Sequence, residues 1–322
     1  MLVNQSHTMK NYIRFLFCFL AINAFAQPSS NFNTSRNWSL NKKEFFFGIG
    51  GTNFTGDLGG RDKIGTDFSL VDLDWPATFA GFNIGYRYRW HPFWATSTEL
   101  YSGMVQGSDE NTNEIIRRSR NLHFRSPIVQ LTQRIEWILL ANEKIGRRYN
   151  IPGLKGFKNQ MQQVYLFTGA AVTYFNPQAE INGTWTNLRP LKTEGQGLPG
   201  GADEYSRITA VIPFGIGVKI GISDMWRIGL EVSYNKTFTD YIDDVSTNYF
   251  DPVVLQSQVG SDAVFAANPS KENQTWFVPG EQRGDPDEKD AFYIANIVFT
   301  RNLTYKPPKK QNWRRPQSRT KF

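Results

Sequence analysis

The chain has 322 residues, is 40% hydrophobic and 15% aromatic, and carries a formal charge of +7. That length allows one large domain or two ordinary ones, and so high an aromatic fraction is unusual in a soluble domain. The single cysteine, Cys18, excludes a disulfide framework and, since it falls in the leader described next, thiol catalysis in the mature protein.

In chain order, residues 1–26 read as an export leader. Lys10 and Arg14 give a basic start, Phe15 to Ile22 a short apolar core, and Ala24-Phe25-Ala26 a cleavage site that leaves Gln27 first. The apolar run is too short to cross a bilayer. Met1 and Met9 are both candidate starts. Residues 27–43 form an N-terminal segment. No later stretch offers about 18 uninterrupted apolar residues, so no transmembrane helix is expected.

From residue 44 the apolar period is two, the signature of strands. Eight segments carry it, at 44–54, 78–90, 93–106, 122–139, 162–174, 207–220, 224–235 and 290–302. The second places Phe82, Ile84, Tyr86, Tyr88 and Trp90 on one face, against Asn83, Gly85, Arg87 and Arg89. The sixth sets Ile208, Ile212, Phe214, Ile216 and Val218 against Thr209, Pro213, Gly215, Gly217 and Lys219. The seventh sets Trp226, Ile228, Leu230 and Val232 against Arg227, Gly229, Glu231 and Ser233. In the fourth, Pro127 and a change of apolar phase between Phe124 and Val129 predict a bulge. Such runs are longer than the roughly 5–6 residues usual in soluble proteins and match the roughly 9–11 of a tilted membrane strand.

The connections alternate in length. Short turns fall at His91-Pro92 and Ser223-Asp224, and long ones at 55–77, 107–121, 175–206 and 236–289. The segment 140–161 departs from this pattern, being long on the short-turn side. Trp90, Trp94, Trp137, Tyr174, Trp226 and Tyr234 sit at strand ends, where an aromatic belt meets a membrane surface. A soluble sandwich pairs its apolar faces in a dry core, whereas here charges and glycines share the opposite face. The expected fold is all-β: an eight-stranded antiparallel transmembrane barrel over 44–305, with long extracellular loops and both termini periplasmic. Residues 306–322 read as a basic tail without fixed structure.

Eight strands leave a lumen that side chains nearly fill. Arg87, Arg89, Arg134, Lys219 and Arg227 are expected there with Glu99, Glu136 and Glu231, pairing to make a plugged barrel without a channel. Outside it, 140–161 and the chain from Arg301 onward hold 13 basic residues and 1 acidic one, more than the net charge of the whole chain. Lys144, Arg147, Arg148, Lys309, Lys310, Arg314 and Arg315 therefore form the candidate partner-binding set, facing an acidic protein surface or anionic headgroups. An exported protein has little use for nucleic acid.

Catalytic, cofactor and small-molecule sites are not expected. His123 with Ser126 and a loop aspartate has the residue types of a lipid-acyl enzyme but no supporting spacing. Gly48-Ile49-Gly50-Gly51 lacks the lysine, hydroxyl and following helix of a phosphate loop. Asp240, Asp243, Asp244 and Asp251 are a weak calcium candidate, without the glycine and closing glutamate of an EF-hand. The acidic loop 236–289 could instead bind at the cell surface.

Several motifs resemble PorG-like outer-membrane proteins of Bacteroidota. They are Gly56-Asp57-Leu58, Phe175-Asn176-Pro177, Leu188-Arg189-Pro190-Leu191 and Thr193-Glu194-Gly195-Gln196-Gly197. Others are Pro213-Phe214-Gly215-Ile216-Gly217-Val218-Lys219, Thr239-Asp240-Tyr241-Ile242-Asp243-Asp244-Val245-Ser246 and Arg283-Gly284-Asp285. The likeness runs from about Glu44 to Tyr305. It implies a barrel tied to type IX secretion and gliding, which anchors a periplasmic ring resembling PorK and PorN. The long 140–161 segment and the basic tail depart from the pattern and leave a paralogue open.

Overall fold

The computed structural model describes residues 38–58, 78–111, 114–141, 162–223, 225–270 and 272–304. The export leader and most of the N-terminal segment lie outside them. So do Lys144, Arg147, Arg148, Lys309, Lys310, Arg314, Arg315 and the tail that carries the last four.

Eight long strands alternate inward and outward side chains. They are β1 (Lys43–Thr55), β2 (Phe79–His91), β3 (Trp94–Ser108), β4 (His123–Ala141) and β5 (Gln163–Phe175), with β8 (Ile208–Gly221), β9 (Trp226–Thr237) and β10 (Ala291–Asn302). Two short strands, β6 (Gln178–Ile181) and β7 (Thr184–Asn187), stand between β5 and β8. Each long strand pairs antiparallel with its neighbours in the order β3-β2-β1-β10-β9-β8-β5-β4, and β3 pairs with β4 to close the ring. The result is a closed eight-stranded antiparallel barrel, the architecture that the period-two runs predict.

The outer wall is apolar. Phe45, Phe47, Ile49, Phe82, Ile84, Leu131, Ile135, Phe214, Ile216, Leu230 and Ile297 all project from it exposed. Trp90, Trp94 and Trp137 stack in series at the short-turn end, with ring centroids 6.5 and 6.2 Å apart. Glu44 pairs with Asn302 at this end, so the first and last barrel strands meet there.

The interior changes character along the barrel axis. Arg87, Arg134, Lys219, Arg227 and their acids fill the middle and the short-turn end. Toward the long-loop end the filling is apolar, with Phe54, Tyr101, Phe124, Ile128, Phe175 and Phe292 in one cluster. This gradient corrects the bulge expected near Pro127. The β3–β4 register runs unbroken from Trp94↔Trp137 to Ser108↔His123, through Met104↔Pro127. Phe124, Ser126, Ile128 and Gln130 all face inward, so the apolar phase changes because the lumen does, not because the strand slips. Pro127 sits where β5 gives way to β6 as the neighbour of β4, and a missing N–H is tolerated there. The register shift of β4 lies instead between Ile138 and Leu140, against β5.

The long loops are folded. β6 and β7 form a hairpin turned by Asn182 (φ 50°) and Gly183 (φ 80°), the left-handed pair that a tight two-residue turn requires. Helix α1 (Ile115–Arg120) lies between β3 and β4, and α2 (Pro252–Gln258) and α3 (Ser261–Ala267) lie between β9 and β10. Asp251 starts α2 by accepting a bond from Val253 N at 2.8 Å, with Pro252 in the first turn.

Candidate functional site

Two polar constructions stand out, one inside the barrel and one in the cap that the loops build over its long-loop end. In the lumen, Arg87 Nε donates to Glu136 at 2.8 Å, Nη1 to Glu44 at 3.2 Å, and Nη2 to Glu231 at 2.9 Å. Its guanidinium lies between the rings of Phe46 and Tyr165, 4.9 Å from each centroid. Arg134 joins Glu99 at 2.8 Å and Glu231 at 2.9 Å, over the Phe167 ring. Lys219 meets Glu44 at 2.5 Å, and Arg227 pairs with the same carboxylate. Four cations thus face four carboxylates, all nearly sealed from solvent, and the network they form is balanced in charge. A buried ion is tolerable only when matched in this way.

Arg89 bonds to the turn carbonyls, donating to His91 O at 3.2 Å and to Pro92 O. Glu44 is the member that the sequence reading missed. The signal was present, because Phe45, Phe47 and Ile49 face outward and so put Glu44 on the lumen side. Beside Arg134, Gln130 and Asn235 remains a cavity of about 10 Å³, room for about one water.

In the cap, motifs far apart in sequence converge. Arg283 Nη1 donates to Glu194 at 2.8 Å and to the Asp244 carbonyl at 2.5 Å. Glu194 also accepts from Ser246 N at 2.9 Å, Thr247 N at 3.1 Å and Thr247 Oγ1 at 2.7 Å. Arg120 holds Asp109 at 2.8 Å and donates to the carbonyls of Arg283 and Asp57 at 2.6 and 2.9 Å. Asp244 accepts from Thr193 Oγ1 at 2.5 Å and Tyr205 OH at 2.6 Å. Burial pushes the Asp244 carboxyl up to about 6, against the pull of Arg283 and these two hydroxyls. Tyr205 stacks on Tyr241 at 4.5 Å. The cap is thereby one bonded body over the apolar upper lumen.

Asp240, Asp243 and Asp244 are buried, and the acidic surface of the 236–289 loop comes instead from Asp251, Asp262, Glu272, Glu281, Asp287 and Glu288. The calcium expectation is corrected, because the three buried aspartates do not form a site with Asp251. Among the described residues no group of three or more His, Cys, Asp or Glu side chains is placed to hold a metal ion. Asp244 is taken up by hydroxyls, and Asp251 caps a helix. The acyl-enzyme reading fails on geometry. His123 accepts from Glu180 N at 3.1 Å, while Ser126 faces inward on the same strand and accepts from Asn176 N at 3.1 Å.

No protein-family model matches the chain, and no curated protein does. Solved structures similar to it are bacterial barrels. Ail, the attachment invasion locus protein of Yersinia pestis, solved with the heparin analogue sucrose octasulfate, is 10% identical. That match covers 80% of this chain and 97% of Ail, with a TM-score of 0.33. Neisserial surface protein A is 6% identical, over 81% of this chain and 97% of that one, at 0.32. The N-terminal β-barrel domain of Pseudomonas aeruginosa OprF is 9% identical, over 81% and 97%, at 0.29. Overlap this low transfers no property of those proteins to this chain.

Proposed function

We propose that this chain is a non-enzymatic outer-membrane barrel that fixes a periplasmic protein assembly to the membrane, as the PorG-like resemblance implies for type IX secretion. The observation that carries the reading is a barrel apolar outside and filled inside by a neutral ion network. The outer wall suits acyl chains, and the filled lumen suits an anchor better than a conduit. Partner binding falls to the short-turn end. There β4 leads into, and β5 leads out of, the segment holding Lys144, Arg147 and Arg148, and beyond β10 come Lys309, Lys310, Arg314 and Arg315. Basic segments there suit acidic faces of periplasmic ring proteins resembling PorK and PorN.

Deleting residues 306–322 tests this. Recovery of periplasmic partners with the purified barrel should drop several-fold, more steeply at raised salt. Unchanged recovery removes the tail from the assembly. A second reading, binding at the cell surface through the cap, draws on the exposed Val253, Phe265, Trp276 and Val278. Trimming 252–278 separates the two readings, because anchoring survives that change and surface binding does not.

A further inference from the structure

Where β1, β9 and β10 run into the cap, four carboxylates gather: Asp57, Asp240, Asp243 and Asp290. Asp240, Asp243 and Asp290 are 3%, 1% and 1% exposed. Asp243 and Asp290 each use one oxygen, accepting from Val245 N at 2.9 Å and Ile242 N at 2.8 Å. Their second oxygens, and both oxygens of Asp240, meet no donor in hydrogen-bonding geometry, and the hydroxyl beside Asp240, that of Ser246, favours its ionised form. Asp57 accepts from Asp285 N at 2.8 Å.

The surrounding charges offset this group only in part. Lys289 pulls on Asp240 and also donates to Pro286 O at 2.5 Å, and Lys236 pulls on Asp290 and also donates to Lys289 O at 2.7 Å, two cations against four carboxylates. Arg117 and Arg120 face Asp57, and Arg120 is already paired with Asp109. Glu194, near Asp240, and Asp285, near Asp57, add negative charge. Ionised carboxylates sealed from water without a counter-ion are strongly disfavoured. A protonated carboxyl is a donor, and its O–H can satisfy an orphaned acceptor on a neighbour.

We propose that these four aspartates are a proton-held latch, which seats the cap on the barrel while they are protonated and loosens it as they ionise. Burial is the leading cause that raises each carboxyl; other aspartates of the group add to it for Asp240, Asp243 and Asp290, and Asp285 adds to it for Asp57. Asp57 is pushed up to about 6 and Asp240 to about 8, with Asp243 and Asp290 well above their ordinary range. Each group takes up its proton more readily in the seated cap than in an open one. Its contribution is therefore complete below the ordinary 3.8 and is lost as pH rises through about 6 and about 8.

The test is amide hydrogen exchange of the full chain in phosphatidylcholine vesicles from pH 5 to 9, expressed as protection factors. Protection at 239–250 and 283–290 should fall at least tenfold, while β8 and β9 hold theirs. The Asp240→Asn, Asp243→Asn double variant should lose less than half of that decrement. Heat-modifiable migration on a denaturing gel shows that its barrel is folded, and the wild-type series stands alone if it is not. Flat protection with pH overturns the latch. So does full rescue of the pH 9 protection by millimolar calcium, which identifies a cation rather than protons as the occupant.

Discussion

Arg87 is the residue on which the lumen closes. It spans Glu44, Glu136 and Glu231, on strands β1, β4 and β9, while its guanidinium is sandwiched by Phe46 and Tyr165. Truncating it leaves three buried carboxylates short of a cation. The Arg87→Ala variant should lose about 3–5 kcal/mol of folding stability, read by urea titration of the barrel in vesicles. Glu44→Gln should also be costly, because Glu44 meets Arg227 through one oxygen and Lys219 through the other, and an amide keeps only one acceptor. A loss below about 1 kcal/mol for Arg87→Ala would mean that water takes over the network. At this scale the sequence is informative wherever a residue's partners follow from strand alternation. Arg87 and Glu231 are identifiable because each shares a face with glycines and lies opposite large apolar side chains. Asp240 and Asp243 are not, since no period marks a loop residue as buried and the carboxylates beside them, Asp57 and Asp290, come from distant parts of the chain.

Among the elements, β8 shows how a small barrel accommodates aromatic rings within its lumen. A Cβ on Gly217 would lie 2.2 Å from Tyr165 Cζ, and one on Gly215 the same distance from Phe167 Cζ. Tyr165 cannot swing aside, because its hydroxyl bonds Glu231 and its ring supports Arg87. Gly217→Ala should therefore destabilise by about 1–3 kcal/mol, as overpacking of a filled interior does. Gly183, in the β6–β7 turn, has φ 80° and open space around its Cβ position. Gly183→Ala should cost only about 1 kcal/mol, from backbone strain alone. Parallel urea titrations check the order, and equal costs would show that the lumen gives way. That hairpin was legible and overlooked: Asn182-Gly183 between Ile181 and Thr184 is a strong two-residue turn signal. The helices of the long loops were not, because each has at most seven residues, too few for a 3.6-residue period to emerge.

Taken whole, the molecule is sealed twice. Above, the cap closes the long-loop end over Phe54, Phe124, Phe175 and Tyr205. Below, Arg87, Arg134, Lys219 and Arg227 occupy the lumen with their acids. Arg120–Asp109 and Arg283–Glu194 join loop to loop, whereas the pairs of Arg87 and Arg134 join strand to strand, so removing one seal should leave the other standing. Reconstituted in a planar bilayer, the protein should show none of the stable unitary steps of an open porin. Replacing 239–289 with a short turn removes the upper seal, and conductance should still be absent, because ions meet the paired lumen next. Only a variant that also empties the lumen, such as Arg87→Ala with Glu231→Ala on the trimmed chain, should admit ions. Steps from the trimmed chain alone would show that the ion network yields to a field, and a conduit would then replace the anchor as the better account of the filled barrel.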